Sequence, residues 1–321
     1  MKQISLGELK IPAVALGTWS WGFGGIAGGD SVFGNRLSEA ELKPVFDYAM
    51  SKGLTLWDTA TVYGSGASEK ILGEFVKERK DAIISTKFTP ILAQGRGDEA
   101  MEEFLEGSLK TLHKNAIDIY WIHNTDDVPR WSAQLVPLLK SGKVRKVGVS
   151  NHNLEQIKFV NELLKKVGFK LDAIQNHYSL LYTNIEDGGI LKYCKDEDIA
   201  VFAYMVLEQG ALGGKYTKDN PMPADTRRGE AFPPQTLARL EPLFEVQRSL
   251  AKKYGTTPAL IATAWAIAKG AVPIIGVTKK EQVDDAERAS EISLSTDEVA
   301  QLEAAAKQTG VTVKGEWEGS M

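Results

Sequence analysis

Four side chains able to move a proton lie at or just beyond the ends of predicted β-strands. Asp58 lies in TLWDT, Lys87 in AIISTKF and His123 at the end of IDIYWIH, while Tyr63 follows Asp58 in the next loop. Reduction of a carbonyl requires a hydride at carbon and a proton at oxygen, and the proton donor must be an acid whose pKa is brought toward the working pH. The four residue types therefore predict proton delivery to a carbonyl compound, with Tyr63 as the acid.

Each of the four residues has an expected role. A phenol ordinarily titrates at a pKa of about 10, and a nearby ammonium favours the phenolate, so we expect Lys87 to lower the pKa of Tyr63. Asp58 would keep Lys87 charged, and His123 would hydrogen-bond the substrate oxygen. Taken singly, the aspartate is often a helix cap, the lysine is usually a solvated charge and the histidine is more often structural. Their joint occurrence on successive strands is what favours catalysis.

Eight short apolar runs, alternating with amphipathic helical stretches, must position these residues. Nearly continuous apolar runs are typical of parallel strands that are covered on both faces. The predicted strands are 14–18, 55–59, 82–88, 117–123, 146–150, 172–176, 200–204 and 272–276. Eight strand–helix units form an α/β fold, the (β/α)8 or TIM barrel, in which the carboxyl ends of the strands meet at one face. We therefore predict a single barrel domain over residues 1–321, with the four residues at its mouth.

Three further segments lie outside the eight units. ISLGELKIPAVALG predicts a short N-terminal hairpin that turns at Gly7-Glu8 and closes the barrel floor. Residues 206–236, rich in glycine and proline, are predicted to form a long loop after the seventh strand. The third segment, STDEVAQLEAAAKQ, predicts an extra C-terminal helix, with a capping box between Ser295 and Glu298.

Composition and charge exclude several classes of function. The 321 residues are 43% hydrophobic and 25% charged, with a formal net charge of −4, which gives no electrostatic basis for binding nucleic acid or an anionic membrane. The single cysteine, Cys194, follows the apolar face of a predicted helix and is expected to pack. His113, His152 and His177 lack the spacing of metal ligands, so no metal is expected. The N-terminus lacks the apolar run of a signal peptide, so we expect a cytoplasmic protein.

Several segments together resemble the aldo-keto reductases. They are WDTATVYGSGASEKILG, ISTKF, GKVRKVGVSN and PIIGVTKKEQV, with His123 at its strand end, and the resemblance runs from about Leu16 to about Leu302. The DTAxxYGxGxSExxLG pattern is highly specific. The resemblance implies reversible, NADP-dependent hydride transfer that reduces aldehydes or ketones, with Asp58, Tyr63, Lys87 and His123 as the catalytic residues.

The resemblance also implies how NADPH or NADP+ would be bound. The nicotinamide would lie against the end of the first strand, with its carboxamide held by polar residues after the fifth and sixth strands. The pyrophosphate would follow the loop after the seventh strand, and the adenosine 2′-phosphate would meet backbone N–H groups at the next helix start, which favours NADPH over NADH. In that order the implied residues are Gly17, Thr18, Trp19 and Asp58; Ser150, Asn151 and Gln175; Tyr204, which would stack on the nicotinamide; Leu207, Gln209, Gly210 and Leu212; and Gly276, Val277, Thr278, Lys279 and Gln282.

The substrate side is less determined by the sequence. Trp21, Phe88, Trp121 and Asn124 are expected to line the pocket for a small carbonyl compound, although core packing explains the three aromatic rings equally well. The residues after His123 depart from the family pattern, so the sequence does not predict which carbonyl fits. It does not predict the oligomeric state either.

Two other functions compete with reduction. Some proteins that resemble this family are cofactor-sensing subunits, for which catalysis is incidental. A Schiff-base aldolase or lyase would instead use Lys87 as a nucleophile, which requires a neutral amine.

A G-x-G-x-x-A spacing at Gly22, Gly24 and Ala27 imitates the fingerprint of a doubly wound dinucleotide-binding fold, but it lies in a polar loop without an immediate helix start.

Overall fold

Eight parallel β-strands form a closed barrel. The computed structural model describes residues 2–25 and 27–313. The barrel strands are Ala15–Gly17 (β3), Leu56–Asp58 (β4), Ile83–Phe88 (β5), Ile117–Ile122 (β6), Val144–Ser150 (β7), Ala173–His177 (β8), Ala200–Tyr204 (β9) and Ala271–Gly276 (β10). Strand β10 pairs with both β9 and β3, which closes the ring. The predicted α/β class and TIM-barrel topology are confirmed, and every predicted strand overlaps an observed one.

An antiparallel hairpin precedes the barrel. Strands Gln3–Leu6 (β1) and Leu9–Pro12 (β2) pair with each other, and Gly7 between them has a φ of 62°, as tight hairpin turns require. Leu6 and Ile11 are buried in the same cluster as the residues that fill the barrel. The hairpin therefore closes the barrel floor, as the sequence predicts.

Helices surround the barrel. They are Gly29–Phe33 (α1), Glu39–Ser51 (α2), Ala67–Val76 (α3), Ala100–Thr111 (α4), Val128–Lys140 (α5), Leu154–Lys165 (α6), Asn184–Asp187 (α7), Ile190–Asp196 (α8), Arg227–Ala231 (α9), Pro234–Arg239 (α10), Glu241–Tyr254 (α11), Pro258–Ala268 (α12), Lys280–Ala289 (α13) and Thr296–Gln308 (α14). In α14, Ser295 and Glu298 form the predicted capping box. Within the described ranges, no helix combines the length and apolar character that crossing a membrane would need.

Apolar side chains fill the barrel below its mouth. Trp121 and Phe202 meet there with ring centroids 5.2 Å apart at 74°, and both are buried. Gly148 on the neighbouring strand β7 leaves room for the indole, because a Cβ at that position would overlap the ring of Trp121. The interior is therefore a packed core, and chemistry is confined to the mouth.

The segment 206–236 is more ordered than a simple loop. It contains a 3₁₀ turn at Glu208–Gly213, helix α9 and the start of α10. Each piece is too short for helical periodicity to be recognised, since one or two turns bury only one or two positions. The predicted long connection after the seventh barrel strand therefore contains short helical turns that the sequence analysis did not predict. We call residues 205–215, which leave strand β9, the strap.

Candidate active site at the carboxyl ends of the strands

The structure brings Asp58, Tyr63, Lys87 and His123 together at the ends of β4, β5 and β6. The Lys87 Nζ is 2.5 Å from Asp58 Oδ2, 2.8 Å from the carbonyl oxygen of Thr59 and 3.2 Å from the Tyr63 hydroxyl. The rings of Tyr63 and His123 are 6.0 Å apart at 78°. Asp58 and Lys87 are buried, whereas Tyr63 and His123 are half-buried. The phenol and the imidazole therefore reach the mouth above a buried ion pair.

A left-handed turn places Tyr63. It begins a 3₁₀ turn in which Gly64, Ser65 and Gly66 have φ values of 56°, 54° and 92°. A Cβ on Gly64 would lie 3.3 Å from the backbone nitrogen of Phe23, so a glycine suits both the dihedral angle and the close approach. The turn leads directly into α3 and leaves the phenol over the lysine.

Lys87 lies in an environment that favours the charged ammonium. Burial by itself lowers the pKa of Lys87, but the adjacent Asp58 carboxylate and Tyr63 phenol outweigh burial and raise that pKa above its ordinary value. Asp58 is held in turn by hydrogen bonds from Ser85 Oγ at 2.7 Å and Gln175 Nε2 at 3.0 Å. Schiff-base chemistry needs a neutral amine, so this environment opposes the aldolase alternative.

The pKa of Tyr63 differs from the expectation. Burial raises the pKa of the phenol, Lys87 lowers it in part, and Asp58 raises it again. Lys87 lowers the pKa as expected, but the net direction is upward, because burial raises the pKa by more than Lys87 lowers it. The reason is that desolvation of a phenolate outweighs its attraction to an ammonium that is already paired. The phenol keeps its proton at neutral pH, as a proton donor must.

His123 is neutral at physiological pH. Burial, reinforced by the positive charge of Lys87, lowers the pKa of His123 to about 3. Its Nδ1 lies 3.1 Å from the hydroxyl of Thr89. When that hydroxyl donates to Nδ1, the ring hydrogen is on Nε2, which leaves an N–H available to a ligand oxygen.

Ser85 and Thr89 support the four residues but are not predicted from the sequence. The Ser85 hydroxyl donates to Asp58 and accepts from Trp121 Nε1 at 2.6 Å, so it connects the carboxylate to the packed barrel interior. A signal was present, because Ser85 and Thr89 lie two residues on either side of Lys87. Alternate positions of a strand share a face, so this spacing indicates that all three side chains point the same way.

Ser150, Asn151 and Gln175 lie side by side where β7 and β8 end. Ser150 Oγ donates to the Gln175 carbonyl at 2.6 Å. The Asn151 side chain donates to the His123 carbonyl at 2.9 Å and accepts from the Tyr204 hydroxyl at 2.6 Å. Hydroxyl and amide oxygens each have a second lone pair, so this set has acceptors left for a carboxamide. With the half-buried ring of Tyr204, the group fits a nicotinamide.

The end of the first barrel strand contributes an aromatic wall. Gly17 and Thr18 are buried beneath the mouth, and Trp19 is half-buried. The Trp19 ring stacks against Tyr63 at 6.0 Å and 29°, and meets Phe33 edge-on at 5.3 Å. The Thr18 side chain is therefore too buried to contact a ligand, whereas part of the Trp19 ring is exposed.

The strap contains the residues predicted to follow the pyrophosphate. Leu207, Gln209 and Gly210 are half-buried at its outer side. Leu212 is fully buried in the core, and its carbonyl accepts a hydrogen bond from Gln247 at 3.1 Å. The Leu212 side chain is thus closed to a ligand, because the residue fixes the strap to the helices behind it, and the path of a pyrophosphate along this segment stays a prediction.

The start of α13 differs from the expected phosphate site. Gln282 Oε1 accepts hydrogen bonds from the backbone nitrogens of Thr278 and Lys279, at 2.7 Å and 3.0 Å. These N–H groups are therefore not free to receive a phosphate, and the expectation that they are is wrong. Val277 is buried, whereas Gly276 and Lys279 are exposed. A phosphate here would meet the Lys279 ammonium and the Thr278 hydroxyl, or displace the Gln282 amide.

Three of the four residues predicted to line the substrate pocket belong to the core. Trp21 is fully buried and donates from Nε1 to the Val277 carbonyl at 2.7 Å. Phe88 packs edge-on against Trp131 at 4.7 Å, between the barrel and its helices. Trp121 lies inside the barrel, below the mouth. Their burial contradicts the pocket assignment, since rings that complete the packing of strands and helices present no face to a ligand.

Other residues in the loops at the carboxyl ends of the strands are at least partly exposed. Asn124 is half-buried and follows His123 directly in the chain, and its place in a substrate pocket stays a prediction. Phe23, Ile91 and Leu92 are large apolar side chains that are 51%, 54% and 50% exposed. They lie in the loops after β3 and β5, on the face that carries Asp58, Tyr63, Lys87 and His123. They were not predicted from the sequence, because loop position alone does not distinguish an exposed apolar residue from a buried one.

Among the described residues, neither the G-x-G-x-x-A spacing nor a metal-binding cluster contributes to this site. Gly22 and Gly24 lie in a loop that leads to the five-residue helix α1, not to a long helix that could bind a pyrophosphate. Within residues 2–25 and 27–313, no cluster of three or more histidine, cysteine or acidic side chains could hold a metal ion. Cys194 is buried in the core, which agrees with the prediction that it packs.

Known proteins resemble this chain over almost its full length. A profile of the Aldo/keto reductase family matches residues 13–307. The chain is 31% identical to a chloroplastic pyridoxal reductase of Arabidopsis thaliana, over 96% of this chain and 87% of that protein. It is 31% identical to a probable aldo-keto reductase of Glycine max, over 92% and 89%. Its fold is similar to a glycerol dehydrogenase of Gluconobacter oxydans, with a TM-score of 0.80, 26% identity and 97% coverage of each chain.

Proposed function

The chain belongs to the aldo/keto reductase family, and on that premise we propose that it reduces aldehydes or ketones to alcohols with NADPH. One observation carries the proposal. The Tyr63 hydroxyl lies 3.2 Å from the Lys87 ammonium, which is paired with Asp58, at the mouth of the barrel. A protonated phenol beside a fixed positive charge is suited to protonate a forming alkoxide.

The proposed mechanism assigns one task to each residue. A bound reduced nicotinamide would supply the hydride to the carbonyl carbon. The substrate oxygen would lie between Tyr63 Oη and the His123 ring, and Tyr63 would transfer its proton to that oxygen. Lys87 would stabilise the phenolate that remains, and Asp58 would hold Lys87 in place. The neutral His123 would orient the oxygen by donating a hydrogen bond, without changing its own charge.

The proposed cofactor contacts follow from the polar groups around the mouth. Ser150, Asn151 and Gln175 would hold the carboxamide, which selects one face of the ring for hydride transfer, while Tyr204 would stack on that ring. We propose NADPH over NADH because Lys279 is an exposed cation at the start of α13, next to the Thr278 hydroxyl.

Consumption of NADPH tests the proposal directly. The purified protein is mixed with NADPH and a panel of aliphatic and aromatic aldehydes and ketones, and the loss of near-ultraviolet absorbance of the reduced nicotinamide is followed. We expect turnover with some members of the panel and lower affinity for NADH than for NADPH. Tight NADPH binding without oxidation by any carbonyl would refute the enzymatic function and favour a cofactor-binding role.

A further inference from the structure

The strap contains a buried carboxylate that the proposed mechanism does not use. Glu208 is fully buried, and its Oε1 accepts hydrogen bonds from His177 Nε2 at 2.7 Å and from the Ser179 hydroxyl. Its Oε2 has no hydrogen-bond partner among the described residues. A buried carboxylate oxygen without a partner is unfavourable, and such groups are uncommon in folded proteins. The two bonds to Oε1 tie the strap to His177 and Ser179.

The backbone around Glu208 is strained. Met205, Glu208 and Gln209 have φ values of 59°, 47° and 55°, and Gly210 follows at 101°. Non-glycine residues with positive φ are uncommon, and they persist only where the surrounding structure holds them in place. Residues in such conformations are frequent in ligand clamps. The side-chain bonds of Glu208 supply the required restraint, since they tie the strained segment to His177 at the end of β8 and to Ser179 just beyond it.

The same carboxylate also braces the nicotinamide side of the mouth. The ring of His177 stacks with Tyr182 at 4.3 Å and with Tyr204 at 5.5 Å. Tyr204 donates its hydroxyl to Asn151, whose amide is bonded to the backbone of the catalytic histidine. A continuous series of contacts therefore runs from Glu208, through two stacked rings, to the polar group proposed for the carboxamide.

We propose that Glu208 is a positioning residue for the dinucleotide. Through His177 and Ser179 it holds the strap in its left-handed conformation and the Tyr204 ring at the mouth, so that both are preorganised before the cofactor arrives. This inference rests on the proposed function, because it assumes that the strap follows the pyrophosphate. Its consequence is specific: loss of Glu208 weakens cofactor binding and leaves the proton-transfer step largely unchanged.

A set of variants separates positioning from simple stability. In Glu208→Ala we expect the Kd for NADPH, measured by quenching of tryptophan fluorescence well below the unfolding temperature, to rise by about tenfold if the binding-competent strap is populated about a tenth of the time. The kcat at saturating NADPH should stay within about twofold of the wild type, because the groups that transfer the proton are untouched. Glu208→Gln retains an oxygen that can accept from His177 and Ser179, so it should restore most of the affinity.

Two further variants complete the test. Glu230→Ala removes an exposed carboxylate from the same segment of the chain and should leave the Kd unchanged. Ser179→Ala removes one of the two donors to Glu208 and should raise the Kd by a smaller factor than Glu208→Ala. If Glu208→Ala does not fold, the Kd of Ser179→Ala for NADPH tests the positioning role in its place.

The possible failures are distinguishable. Wild-type affinity in Glu208→Ala, or in Ser179→Ala when only that variant folds, would overturn the positioning role and leave the proposed function intact. A fall in unfolding temperature with an unchanged Kd would overturn it as well, since that result describes a purely structural group. A wild-type protein that does not bind NADPH would refute the proposed function itself.

Discussion

At the scale of single residues, desolvation and charge act on Tyr63 in opposite directions. Burial raises the pKa of the phenol and Lys87 lowers it only in part, so the residue remains a phenol at neutral pH. In the proposed mechanism, its usefulness as an acid then depends on the basicity of the alkoxide that would form next to it and on the fixed charge of Lys87, which would stabilise the product phenolate. The ammonium thus acts mainly on the state after proton transfer.

Removing the phenol oxygen tests this role. In Tyr63→Phe we expect the chemical step to slow by about 10²–10⁴, the usual effect of losing a general acid. The Kd for NADPH should barely change, because the phenol is assigned to the substrate side. Single-turnover kinetics and a cofactor titration measure the two quantities separately. Near-normal turnover in this variant would remove the assigned role.

The pH dependence of kcat/KM tests the state of His123. Because burial and Lys87 lower the pKa of His123 to about 3, the ring is already neutral at pH 5 and stays neutral as the pH rises. We therefore expect no break in kcat/KM between about pH 5 and 8, where a free histidine with a pKa of about 6.5 would titrate. A break near that value which disappears in His123→Gln would show that the imidazole titrates in the active range and would contradict the neutral-ring assignment.

At the scale of elements, local sequence signals specify most of the helix and strand positions. Strand-end residues are brought to one face by the barrel topology, and alternation along β5 then places Ser85 and Lys87 on the same side. The short helical pieces of the strap lack such a signal. Their conformation depends on contacts with distant residues, such as the bond between Gln247 and the Leu212 carbonyl.

The capping box at the start of α14 allows a test of how much a locally encoded cap contributes to the free energy of unfolding. Ser295 accepts a hydrogen bond from the Glu298 backbone nitrogen, and Glu298 accepts one from the Ser295 backbone nitrogen. Ser295→Ala should lower the free energy of unfolding by about 1 kcal/mol, the usual effect of losing an N-cap. Thr296→Ala, at the exposed neighbouring position, is the matched control and should have a smaller effect. Equal effects of the two changes in urea denaturation would mean that the cap contributes nothing specific.

At the scale of the whole molecule, the barrel depends on side chains that fit together across strands. Gly148 on β7 faces Trp121 on β6, and a Cβ there would overlap the indole. Gly148→Ala should therefore destabilise the protein by about 1–3 kcal/mol or more through overpacking. Gly107→Ala, in helix α4 where nothing lies near the new methyl group, should instead be neutral or stabilise by about 0.5–1 kcal/mol.

Thermal or urea unfolding of both glycine variants makes the comparison. The two substitutions add the same methyl group, so a difference between their effects on the free energy of unfolding reflects how tightly each site is packed. A Gly148→Ala variant as stable as Gly107→Ala would show that the barrel interior has free volume, contrary to the packing described above.

The sequence by itself determined the barrel and the four residues at its mouth. Apolar runs of strand length, spaced by amphipathic helices, admit few topologies, and a parallel barrel necessarily gathers its strand ends. The specific DTAxxYGxGxSExxLG pattern added the family resemblance.

Only the tertiary structure decided which aromatic rings are core and which are accessible, in which direction the pKa of Tyr63 moves, and that Gln282 already occupies the helix-start N–H groups. It also showed Glu208 bonded to His177 across 31 positions of sequence. The physical reason is common to all four. Burial, desolvation and hydrogen-bond competition depend on neighbours that are remote along the chain. A local pattern of residues does not identify those neighbours.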